Sequence, residues 1–125
     1  MSSHILVVED DELLRALTAE SLSSLYALAI TPCANADEAL VLLTGGLDTA
    51  LVFTDIHMPG ELDGLELARE IWRKWPSVPV ILTSGDAIVP IESLPGNAAF
   101  LPKPWNFDQL IEQIERLVSL TTRRT

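Results

Sequence analysis

Four acids, two hydroxyls and a lysine stand where short apolar runs end. Glu9, Asp10 and Asp11 follow HILVV, and Asp55 follows LVFT. Thr83 and Ser84 close PVILTS, and Lys103 follows AAFLP. Carboxylates brought close together repel, and one pKa rises unless a cation offsets the charge. A hard divalent ion with oxygen ligands is the natural offset, and Mg²⁺ favours one or two carboxylates plus waters and phosphate oxygens. Lys103 supplies a second cation. Two cations around a carboxylate suit a phosphoryl group, whose transfer depends mainly on positioning and charge neutralisation. A hydroxyl from Ser84 or Thr83 is a donor for a phosphoryl oxygen.

Taken one at a time, these residues have plainer uses. Asp10 or Asp11 can cap a following helix. Lys103 alone reads as a surface lysine, and Ser84 before Gly85 as a turn residue. His57 reads as an exposed loop side chain. Cys33 and the three tryptophans read as packing. The conjunction at separate strand ends is what favours a site.

The elements that must position these groups alternate along the chain. Strand-like runs cover 4–8, 27–31, 50–54, 78–83 and 98–101. Between them, Leu13, Leu14, Leu17, Leu22 and Leu25 recur at helical spacing, with Arg15, Thr18 and Glu20 on the other face. Asn35 or Asp37 can start a second helix that Gly45 and Gly46 end. A third helix runs from Gly64 to Trp75, closed by Pro76. Asn106 or Asp108 starts the last, with Phe107, Leu110, Ile111, Ile114, Leu117 and Val118 in phase. Between 85 and 97, Pro90, Pro95 and Gly96 disfavour a full helix and predict a loop or single turn. Strands alternating with helices predict a doubly wound parallel sheet covered on both faces. In such sheets ligands bind beyond the carboxyl ends of the strands, where the polar groups gather.

Bulk properties narrow the function. The chain has 125 residues, a usual size for one domain, and 48% are apolar. A net charge of −10 with only 8 Lys and Arg argues against direct nucleic-acid binding. One cysteine permits no intrachain disulfide. No apolar run approaches membrane-spanning length, and the N-terminus lacks the pattern of a signal peptide. The expectation is a cytoplasmic domain over 1–125, with its core in 4–119 and a frayed tail at 120–125.

The stretches ILVVEDDELLR, VFTDIHMPG with DGLELAR, PVILTSG and FLPKPW together resemble the receiver (response regulator) domain of two-component signalling. The likeness covers residues 4–119. It implies a flavodoxin-like five-stranded parallel sheet of order 2-1-3-4-5, here with a short or irregular fourth helix. It implies that Asp55 accepts a phosphoryl group from a histidine kinase or a histidine phosphotransfer protein. The implied metal is Mg²⁺, with Mn²⁺ as a substitute, held by Asp10, Asp55, the main-chain carbonyl of His57 and Glu9 through water. Lys103 would contact the phosphoryl group, and the peptide joining it to Pro104 is often cis in this family. Ser84 would be the switch hydroxyl, with Thr83 as the fallback, and Phe100 the switch aromatic. His57 and Asp86 would tune dephosphorylation. A receiver of this kind catalyses only its own phosphorylation and dephosphorylation, and controls a partner either alone or within a longer chain.

Three features depart from the usual pattern. PGELDG is one residue longer than the common form of that loop, the segment 85–97 is poor in helix signals, and the fifth strand runs into Pro102 just before Lys103, which suits an edge strand. Two other readings use the same residues. One is a phosphorylation-independent interaction module. The other is a Mg²⁺-dependent phosphatase with an aspartyl nucleophile, which commonly has a second carboxylate where this chain has His57.

Overall fold

A computed structural model describes residues 3–58, 60–85 and 93–118. The elements run β1 (His4–Val8), α1 (Glu12–Leu25), β2 (Ala29–Cys33), α2 (Ala36–Thr44), β3 (Thr49–Asp55), α3 (Gly64–Lys74), β4 (Val80–Ser84), β5 (Ala98–Pro102) and α4 (Phe107–Leu117). All strand pairs are parallel, and the sheet order is β2-β1-β3-β4-β5. This is the expected flavodoxin-like order. Most of the segment 85–97, with Asp86, and the tail 120–125 lie outside the described residues.

Alternation along the strands divides the core into two layers. Leu6, Val8, Val52, Val80 and Leu82 pack with Leu43 of α2 and with Leu67 and Ile71 of α3. Ile5, Val7, Leu51, Phe53, Ile81 and Leu101 pack with Leu22 of α1 and with Leu110 and Ile114 of α4. The central strands are apolar on both sides because both sides are covered.

Two expectations need correction. The second strand spans 29–33 rather than 27–31, because its pairing with β1 runs from His4↔Ala29 to Val8↔Cys33. Pro32 is tolerated there because β2 is an edge strand. The phase of α1 also differs. Leu13 and Leu17 are 69% and 52% exposed, whereas Thr18 is buried beside Leu22. The inward stripe is Leu14, Thr18, Leu22 and Leu25, at i, i+4, i+8 and i+11. Asp11 fixes that phase by accepting from Leu14 N at 3.1 Å, and Arg15 donates back to the Glu9 carbonyl at 2.8 Å.

Candidate functional site

β1 and β3 are adjacent in the middle of the sheet, so their carboxyl ends lie side by side. Glu9 and Asp55 are each 6% exposed, while Asp10 is exposed. One carboxylate oxygen from each of the three lies within 4.8 Å of the others. Asp11 is the helix cap, which separates it from Asp10 and closes the alternative left open by their adjacency. Three hard oxygen donors at this spacing fit a divalent ion such as Mg²⁺.

Lys103 enters from the end of β5. Its Nζ donates to Asp55 Oδ2 at 2.7 Å and lies 3.6 Å from Glu9 Oε1. Burial lowers the Lys103 pKa, but the bond to Asp55 and the charges of Glu9 and Asp55 outweigh it, and the net shift is upward. Burial raises the pKa of Glu9, opposed by the Asp11 backbone amide and by Lys103. The ammonium thus stabilises an acidic cluster that burial penalises. The Lys103–Pro104 peptide is cis.

The loop after β3 is held at several points. His57 N lies 3.3 Å from Asp55 Oδ1, and the His57 side chain is exposed. Gly64 N donates to the Ile56 carbonyl at 2.8 Å. A Cβ at Gly64 would overlap the Asp55 carbonyl oxygen, so only glycine permits this closure. Asp63 and Glu66 form a reciprocal capping box at the start of α3. Asp37 of α2 accepts from Glu61 N at 3.1 Å. Gly60, at φ +116°, lets the backbone pass Asp37, because a Cβ there would sit 2.7 Å from its carboxylate. The loop after β3 is therefore anchored to α2, a contact with no advance signal in the sequence.

Register separates the two hydroxyls of β4. Thr83 pairs with Asp55 and Leu101, on the face of Phe53 and Ile81. Ser84 follows Leu82 onto the opposite face, where half-buried Phe100 also packs. Both hydroxyl residues are 2% exposed, and Thr83 Oγ1 is buried without a hydrogen-bond partner among the described residues. Beside Lys103 opens a cavity of about 530 Å³ lined by Leu14, Gly85, Lys103, Pro104 and Trp105. Trp105 packs edge-on to Phe53, with ring centroids 5.4 Å apart. Packing was the expected use of that tryptophan, but its place at the cavity is new, because the residue after Lys-Pro carries no spacing signal of its own.

The structure thus brings Glu9, Asp10, Asp55 and Lys103 together, with His57, Thr83 and Ser84 adjoining. Phe100 stands on the far face, and Asp86 lies outside the described residues. The response regulator receiver domain family matches residues 5–115. The transcriptional regulator NtrC of Salmonella typhimurium is 33% identical over 117 residues, covering 90% of this chain and 24% of that protein. PetR of Rhodobacter capsulatus is 35% identical, covering 92% of this chain and 48% of that protein. The chain therefore spans between about a quarter and a half of these relatives' length. Response regulator TrrA of Thermotoga maritima, solved in complex with Mg(2+)-BeF, superposes with a TM-score of 0.77 at 33% identity, covering 93% of this chain and 99% of that one. A receiver protein from Sinorhizobium medicae gives 0.82 at 26% identity, covering 93% and 94%. On the family match, the curated relatives and the shared fold, the chain belongs to the response regulator receiver domains of two-component signalling.

Proposed function

We propose that Asp55 is the phosphoacceptor of this receiver, charged by a phosphohistidine on a histidine kinase or histidine phosphotransfer protein in the cytoplasm. The observation that carries the reading is the Lys103 ammonium 2.7 Å from Asp55 Oδ2, within an acidic cluster that can take a metal. An Asp55 oxygen attacks phosphorus, the P–N bond breaks, and its electron pair returns to the imidazole. Lys103 follows the charge onto the phosphoryl oxygens. Asp10, Asp55 and the His57 carbonyl would hold Mg²⁺ or Mn²⁺, with Glu9 acting through water; the ion supplies charge neutralisation when bound.

Ser84 is the better candidate for the switch hydroxyl, because it ends β4 on the face that Phe100 shares. A hydrogen bond from Ser84 to the phosphoryl group would bias a two-state equilibrium of the loop after β4, with Phe100 turning inward behind it. His57 and Asp86 would set the phosphoryl lifetime by orienting water. Receivers are regulatory domains rather than enzymes with a diffusible substrate, and the output here is control of a protein partner.

The test uses intact-mass spectrometry after incubation with Mg²⁺ and a small phosphodonor, alongside binding of beryllofluoride. Wild type gains one phosphoryl mass and binds the mimic; Asp55→Asn does neither. Equal behaviour of the two proteins refutes the assignment.

A further inference from the structure

Thr83 has no role in this mechanism, yet it is placed as if it had one. It is only 2% exposed, and its hydroxyl finds no partner among the described residues. A valine would fill the same space without leaving a polar atom stranded. Its Cα partner across the sheet is Asp55, on a parallel strand roughly 4.8 Å away. Side chains at paired positions of parallel strands share a face, so the hydroxyl stands on the side of the sheet that carries the acceptor carboxylate. In the resting site, Lys103 Nζ already covers Asp55 Oδ2.

We propose that Thr83 is a positioning residue for loss of the phosphoryl group: its hydroxyl donates to the Asp55 oxygen that Lys103 leaves. The inference rests on Asp55 being the phosphoacceptor. Phosphorylation removes the full charge of the carboxylate and places new charge on the phosphoryl oxygens, which draw the ammonium away. The vacated oxygen then accepts from Thr83. In hydrolysis, water attacks phosphorus and forms a P–O bond, and the bond from phosphorus to the Asp55 oxygen breaks. Its electron pair returns to the carboxylate, and the protons of water leave with phosphate and solvent. Negative charge develops on the carboxylate beside Thr83, where a fixed donor lowers the barrier. Ser84, on the opposite face, serves the phosphoryl group itself.

The experiment follows phosphoryl lifetime by intact mass after the donor is removed, in wild type and in Thr83→Val, Thr83→Ala and Thr83→Ser, with urea melts of each. Loss of the hydroxyl in Thr83→Val and Thr83→Ala lengthens the half-life about tenfold, one good hydrogen bond's worth of barrier. Thr83→Ser restores a lifetime near wild type. Thr83→Val also raises the urea midpoint, because the stranded hydroxyl is gone. Lifetimes of Thr83→Val and Thr83→Ala within twofold of wild type overturn the inference, as does a Thr83→Ser lifetime as long as theirs. A wild type that never acquires the phosphoryl mass overturns the phosphoacceptor reading itself, a result distinct from either.

Discussion

The three carboxylates at the site are held close at a cost to the fold. Glu9 is buried enough for its pKa to rise, and Lys103 is the cation that offsets the cluster. Asp10→Asn removes one negative charge and leaves the shape intact. Its metal-free form should be more stable than wild type by about 0.5–1 kcal/mol, because repulsion is relieved where function needs it. Mg²⁺ should raise the melting temperature of wild type by binding the native state, and the same change should abolish that rise. Thermal melts of both proteins with and without Mg²⁺ check the pair of effects; an Asp10→Asn protein still stabilised by Mg²⁺ would show that Asp10 is not a ligand. The identity of the acids was readable from their place after apolar runs. Residue types alone left either Asp10 or Asp11 as the helix cap, since either side chain can reach a helix's first amides; the resemblance named Asp10 as the ligand, and the bond from Leu14 N to Asp11 makes Asp11 the cap. Thr83 and Ser84 were ambiguous for a related reason. Neighbouring residues on a strand face opposite sides, and register, fixed by long-range pairing, says which side faces Asp55.

At the scale of elements, periodicity found the four described helices and five strands, and it placed the polar groups at the strand ends. It failed where leucine was too abundant. Five leucines in α1 offered more than one apolar stripe, and the cap at Asp11 together with the Arg15 bond to Glu9 selected the stripe containing Thr18. That correction has a mutational signature. Leu22, fully buried, should cost about 2–5 kcal/mol as Leu22→Ala. Leu17→Gln, at an exposed position, should stay within about 0.5 kcal/mol of wild type. Denaturant midpoints distinguish this phase from the one the leucine pattern suggested, in which both changes would be severe. The edge strand β2 shows a different limit of pattern reading. Pro32 counts against a strand interior, yet the parallel ladder with β1 runs past it because no strand among the described residues lies on the other side of β2.

For the molecule as a whole, the parallel sheet covered on both faces followed from alternating elements and the strand order from the family resemblance, whereas the clasp between α2 and the loop after β3 followed from neither. That contact joins Asp37 to a backbone amide 24 residues away. Global stability should carry a pH signature from Cys33, which lies in the layer containing α2 and α3. Burial, then the nearby Glu38 carboxylate, pushes its thiol from 9.0 up to about 11. Above pH 9 the unfolded thiol ionises while the folded one keeps its proton, so stability falls as pH rises through that window. The loss approaches about 3 kcal/mol above pH 11. Urea melts between pH 8 and 11 should show a steeper decline for wild type than for Cys33→Ala; parallel declines would contradict the shift. β4 carries one further consequence. Its two terminal hydroxyls are assigned by odd and even position alone, so the strand works like a reading frame. Removing one residue from 80–82 would transpose them, sending Thr83 to the face of Phe100 and Ser84 to that of Asp55. A change of length within β4 would therefore be felt directly beside Asp55.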